Sequence, residues 1–127
     1  MRGGGCAVAS GEGPVTISGR LLLPGPDANG ESVDLDGLTF PEGRMVPVLL
    51  DFDPCRAVGW AEIVRDAEGF TATARVAAVP PGACFALGWV VRARDGSTVT
   101  ALQVTRVGLV QRNTDPRIGP VQRAEEP

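Results

Sequence analysis

Apolar positions in this chain recur every second residue, or run unbroken for a few residues, and then stop at proline, glycine or an acidic pair. Across residues 15–21, Val15, Ile17 and Leu21 alternate with Thr16, Ser18 and Arg20, the pattern of a strand with one face on a core and one in solvent. Leu23-Pro24-Gly25-Pro26 ends that strand, because proline cannot donate to a ladder. Residues 27–37, rich in Asp, Asn and Gly, read as a loop. The short apolar patch Leu38-Thr39-Phe40 follows and stops at Pro41. Residues 46–52 form a continuous apolar run, as expected of a strand buried on both faces. After a turn at Asp53-Pro54, residues 57–65 predict another strand, with Val58, Trp60 and Glu62 on one face and Gly59, Ala61 and Ile63 on the other.

Asp66-Ala67-Glu68-Gly69 predicts a hairpin turn in which Gly69 takes a positive φ. The chain returns over residues 70–79, with Phe70, Ala72, Ala74 and Val76 sharing a face, and stops at Pro80-Pro81-Gly82. Residues 84–94 and 99–110 predict two further strands around Asp95-Gly96, the strongest hairpin signal in the chain. The last strand changes apolar phase near Val104, which predicts a bend or bulge. No segment carries a 3.6-residue apolar period, and no internal repeat is apparent. The expected fold is all-β: a small closed or partly open barrel of about six to seven antiparallel strands, with helices reduced. It spans residues 14–112, between a Gly-rich flexible arm at 1–13 and a polar tail at 113–127.

Composition narrows the chemistry. A length of 127 residues suits one domain, and 43% hydrophobic with 21% charged residues suits a globular one. No apolar run approaches the roughly 18 residues of a membrane span. The Cys6-Ala7-Val8-Ala9 stretch is too short for a signal peptide. A net charge of −3 gives no electrostatic footprint for nucleic acid. All 12 basic residues are Arg, which alongside 17 Gly and 11 Pro reads as coding bias rather than a binding signature. The three cysteines, Cys6, Cys55 and Cys84, are widely spaced and have no histidine to complete a zinc site. They read as reduced thiols, with a Cys6 bridge between subunits as the alternative. Asp34 with Asp36, and Asp51 with Asp53, form two D-x-D pairs that could offer carboxylates to calcium. They lack EF-hand spacing and read as solvated loop residues, so no metal and no cofactor is expected. Gly3-Gly4-Gly5 is not a phosphate loop, because no strand or helix flanks it suitably. The chain contains 0 His, the side chain that exchanges protons near neutral pH, so serine or cysteine nucleophile chemistry would lack its usual base.

Several segments together resemble a known family. Val48-Leu49-Leu50-Asp51-Phe52-Asp53-Pro54, then Ala57-Val58-Gly59-Trp60-Ala61-Glu62, then Asp66-Ala67-Glu68-Gly69-Phe70 resemble, in order and spacing, the prohead (capsid maturation) proteases of HK97-like tailed phages. Cys84-Phe85-Ala86-Leu87-Gly88-Trp89 is similar to that family's serine motif, and residues 99–110 to its terminal strand, so the likeness covers residues 15–115. Carried over residue by residue, the resemblance puts Phe52 at the catalytic histidine, Ala86 at the nucleophilic serine and Arg106 at an acidic position. A phenyl ring accepts no proton and a methyl group attacks no carbonyl, so the resemblance implies a pseudo-enzyme rather than an enzyme. The helix that the family places before the serine motif is replaced here by Pro80-Pro81-Gly82-Ala83.

The function this implies is a non-catalytic virion protein, most concretely a capsid decoration or cement protein. Its expected partner is the major capsid protein, and it is expected to form a homo-oligomer, with a trimer suggested by the threefold positions of capsid lattices. No nucleic acid and no membrane partner is expected, and the protein would sit in the virion after assembly in the host cytoplasm. Trp60, Trp89 and Phe70 are the candidate partner contacts. Two alternatives keep the fold: an active protease with Cys84 as nucleophile, and an internal assembly or scaffolding factor. A cellular β-barrel binding module is the plainest alternative.

Overall fold

One long strand organises the molecule. The computed structural model describes residues 14–27, 30–111 and 117–123. Strand β8 (Thr98–Val110) takes partners along both edges. On one edge it pairs antiparallel with β7 (Cys84–Asp95), from Asp95 opposite Thr98 to Cys84 opposite Val110. On the other edge three earlier segments climb beside it in turn, all parallel. These are β2 (Ser32–Val33) against Thr98 and Val99, β3 (Leu38–Thr39) against Leu102 and Gln103, and β4 (Met45–Leu50) against Val107 to Leu109. From β4 the sheet continues through antiparallel neighbours: β5 (Ala57–Arg65), β6 (Phe70–Val76), β1 (Val15–Leu22) and the two-residue β9 (Gln122–Arg123). The fold is therefore mainly β, with two short 3-10 turns at Leu35–Gly37 and Glu42–Arg44. The parallel pairings on β8 depart from the antiparallel expectation. Sequence periodicity reports which face a residue occupies, not the direction of the neighbouring strand.

The sheet curls without closing, so the barrel is partly open. β1 and β7 share no ladder, although Gly19 lies against the ring of Phe85 across the seam. The C-terminal segment straps this seam. The Val121 amide donates to the Ala83 carbonyl at 2.8 Å, Ser18 and Ile17 pair with Gln122 and Arg123, and Arg117 Nη1 donates to the Pro24 carbonyl at 2.7 Å. Ile118 is buried in the same segment. Residues 117–123 thus belong to the barrel rather than to a tail, because apolar Ile118 and Val121 give that stretch something to bury. The remaining tail residues and the arm at 1–13 lie outside the described residues.

Side chains from every long strand fill the interior, including Ile17, Leu21, Val46, Val48, Ile63, Val76, Leu102, Val104, Val107 and Leu109, with Phe85 the largest fully buried group. Bulges set which residues face inward. On β5, Val48 pairs with Gly59 but Leu49 with Ala57, so the extra residue Val58 turns into the core instead of sharing the face of Trp60. On β8, Thr100 and Thr105 are each skipped by the ladder to β7. The buried positions shift accordingly from Val99 to Leu102 and Val104, then to Val107 and Leu109. This is the phase change visible near Val104 in the sequence. β4 ends at Leu50, two residues short of the apolar run, and β6 ends at Val76, before Ala77 to Val79.

The β5–β6 hairpin turns at Gly69, whose φ is +152°, and any Cβ there would overlap the Leu22 carbonyl oxygen. Asp66 organises this turn, accepting hydrogen bonds from the amides of Glu68 and Gly69 at 3.0 and 2.9 Å. Arg20 on β1 donates to Asp66 at 2.9 Å and to Glu68 at 3.1 Å, tying the two ends of the sheet segment together. The hydrogen bond from the Arg20 guanidinium, helped by the two turn amides, holds the Asp66 carboxyl below its ordinary value of 3.8. A depressed carboxyl stabilises the fold above its unfolded pKa and loses that contribution as pH falls through the folded value. Asp66→Asn is therefore expected to reduce the acid sensitivity of thermal unfolding below about pH 4, with wild type and variant converging under stronger acid. Comparing unfolding midpoints at neutral and acidic pH checks this. Phe85→Ala is expected to cost about 3–5 kcal/mol in urea titrations, as for other fully buried aromatic truncations.

Candidate functional site

The turn that follows β4 is strained, and the strain places one aromatic ring. The Asp53 amide donates back to the Leu50 carbonyl at 2.9 Å, closing a tight turn whose central residues are Asp51 and Phe52. Both take left-handed conformations, with φ of +53° and +60°. For a non-glycine residue that costs on the order of 1–2 kcal/mol, and Asp tolerates it better than Phe. The Asp51 amide, donating to the Leu109 carbonyl at 2.9 Å, continues the β4–β8 ladder into the turn. Phe52 then places its ring against Gly108 of β8, where a Cβ would stand 2.6 Å from ring atoms. Only glycine leaves room for that ring.

Arg106 lies two residues before Gly108 and places its guanidinium carbon 5.4 Å from the Phe52 ring centroid. Its Nη1 donates to Thr105 Oγ1 at 2.8 Å. Its aliphatic stem crosses Gly88 of β7, where a Cβ would overlap it. Directly across the ladder, Gly88 opposes Arg106 and Ala86 opposes Gly108. Phe52, Ala86 and Arg106, from three separate stretches of sequence, therefore meet on one plate of the β7–β8 surface. The alternate residues Phe85, Val107 and Leu109 point the other way, into the core. Gly88 and Gly108, which allow the plate to form, were not singled out from the sequence. Their only sequence signal is glycine inside a strand pattern, which marks close approach.

This plate holds an aromatic ring, a methyl group and a permanently charged guanidinium, and none of them exchanges a proton near neutral pH. Cys84 shares the strand with Ala86 and opposes Val110; it is buried, with Sγ 3.9 Å from the Gly82 carbonyl oxygen. Cys55, by contrast, is exposed. The acidic pairs are engaged by backbone amides and arginines. Asp34 accepts from the Asp36 amide at 3.0 Å, Asp36 bridges Arg65 at 2.7 Å, Asp53 accepts from the Cys55 amide at 2.9 Å, and Asp51 stands 3.6 Å from Arg56. Among the described residues, no three His, Cys, Asp or Glu side chains gather closely enough to hold a metal ion.

The candidate contact residues separate. Trp60 is 58% exposed, on the outer face of β5 opposite Pro47 of β4 and Arg75 of β6. Met45, opposite Glu62, and Val64 are 41% and 49% exposed on the same surface, so the three form a strip across β4 and β5 that the exposed Glu62 interrupts. Trp89 is half-buried against the core. Phe70, expected as a contact, is only 2% exposed and packs at 5.5 Å against Phe40. It is a core residue, because the first position after the β5–β6 turn faces inward. A separate cleft of about 270 Å³ opens at the seam, lined by Ile17, Val79 to Ala83, Val121 and Arg123, and includes none of the plate residues. No family model matches the chain, and no curated protein matches it.

A double-mutant cycle of Phe52→Ala and Arg106→Ala is expected to give a coupling of about 0.5–1 kcal/mol in chemical denaturation, the size of a partly exposed cation–π contact. Gly108→Ala is expected to displace the ring and cost about 1–3 kcal/mol.

Proposed function

We propose that this protein is a non-catalytic phage virion component, a decoration or cement protein that stabilises a capsid shell using a barrel of the prohead-protease type. One observation carries the proposal. Phe52, Ala86 and Arg106, the positions that resemblance assigns to histidine, serine and acid, come together on one plate, and all three hold side chains that cannot perform acyl transfer. The β4–β8 and β7–β8 pairings bring these positions together, and they are the same positions that the resemblance picks out. On this reading the plate is a packing device: ring, glycine and guanidinium now stiffen the surface that once presented a nucleophile.

The binding surface on this reading is the strip of Met45, Trp60 and Val64. Trp60 stands against Pro47 with Met45 and Val64 near it and the charges of Glu62 and Arg75 on the same face, and a large exposed aromatic of this kind is a common interface anchor. The partner is the major capsid protein, met by more than one copy of this chain.

A thiol protease built on Cys84 is less well supported. Its Sγ is buried, and its hydrogen-bonding neighbour is a carbonyl oxygen that cannot act as base. An internal assembly factor uses the same fold and differs in timing. Quantitative mass spectrometry of purified mature particles is expected to find the protein in stoichiometric proportion to the capsid subunit, and absence from mature particles would defeat the decoration reading. Purified protein incubated with capsid precursor is expected to leave it intact. Cleavage abolished by Cys84→Ala would replace the pseudo-enzyme by an enzyme. Trp60→Ser is expected to lower particle occupancy at least tenfold while the fold stays intact, as for a central interface aromatic.

A further inference from the structure

We infer that the outer edge of β7 is an interface between two copies of this chain, paired antiparallel about a twofold axis. This goes beyond the virion reading, which names no contact between copies, and it stands without that reading.

The margins of the sheet are unequal. One ends in β9, only two residues long and tucked beside β1. The other ends in β7, whose sole ladder among the described residues is to β8. The first half of β7 is sheltered, since Phe85 lies against Gly19 of β1. The second half is not. Residues 90–95 are all exposed, including Val90 at 42% and Val91 at 38%, while β2 covers the opposite edge of the hairpin at Thr98 and Val99. A strand exposed on both faces and along one edge presents a row of unpaired amides and carbonyls, and the group that satisfies such a row is another extended strand.

Charge selects the occupant. Edge strands are commonly protected by charges of one sign, which repel a second copy. This edge carries both signs. Arg92 donates to the neutral Gln103 at 2.5 Å and meets no carboxylate among the described residues, and Asp95 has no cation there. Arg94 is already neutralised by Glu31 at 2.5 Å. Around a twofold axis normal to the sheet, the Arg92 of each copy comes within reach of the Asp95 of the other, giving two equivalent ion pairs along a new antiparallel ladder. The bulge at Arg92, where the β7 ladder steps from Val91 opposite Leu102 to Ala93 opposite Ala101, brings that side chain to the face of Gln103, from which it can make this reach. The inferred contact is a twofold element of the expected homo-oligomer.

Sedimentation velocity over a concentration series is expected to show a monomer–dimer equilibrium. Arg92→Asp and Asp95→Arg, both at exposed positions, are each expected to weaken the dimer about tenfold or more, and the double variant R92D/D95R to restore it. Hydrogen exchange is expected to show protection of amides 90–95 that rises with concentration, and Trp60→Ser is expected to leave the dimer unchanged. A protein that stays monomeric throughout the series overturns the inference. So does a dimer indifferent to the charge reversals, or one lost with Trp60→Ser, which would place the contact on the β4–β5 face instead. Circular dichroism of each variant separates loss of pairing from loss of fold.

Discussion

The structure depends on β8 being paired along both edges. A strand hydrogen-bonded on each side must hide apolar residues on the core face over its whole length, and β8 does so only because two bulges, at Thr100 and Thr105, rotate it back into phase as the sheet curls. The same strand is a shared wall of the core and of the plate. Its core face supplies Leu102, Val104, Val107 and Leu109, and its outer face supplies Arg106 and Gly108. Its parallel edge carries the β4 segment that ends in the Phe52 turn. A single register error in β8 would move the plate residues inward and the core residues outward together.

The plate shows how local strain is held in place by packing. Two consecutive left-handed residues disfavour the turn at Asp51 and Phe52, yet burying the Phe52 ring on Gly108 and stacking Arg106 beside it offset the cost. Strain of this kind ordinarily accompanies a functional geometry. Here it serves a surface with no acid–base group, which agrees with the proposed loss of catalysis from an older site. The strip around Trp60 lies on different strands, β4 and β5, so the surface proposed to bind and the surface proposed to have lost its chemistry can change independently.

Much of the fold was legible in the chain because its signals are local. Period-two patterning located β1, β5 and β6, Asp95-Gly96 located the β7–β8 hairpin, and the phase change near Val104 located a bulge. What was not legible depends on partners distant in sequence. Nothing local announces that β2, β3 and β4 run parallel to β8, or that Ile118 and Val121 bring the C-terminal segment back across the seam. Phe70 and Trp60 show the same limit for side chains. Both are large aromatics on neighbouring strands, and only the register of β5 against β6 sends one into the core and the other into solvent. The resemblance picks out Phe52, Ala86 and Arg106 one by one, whereas the two glycines that make room for the ring become visible only when the strands are paired.

The function proposed for this barrel is exerted through its surfaces and not through a reactive centre. The most direct test is a side-chain-resolution map of the assembled particle by electron cryomicroscopy. The account predicts density for the barrel on the outside of the shell, with Trp60 and its apolar neighbours buried against capsid subunits and the Phe52–Arg106 plate touching no substrate peptide. A capsid segment threaded across that plate, or a mature shell with no density for this chain, would contradict it.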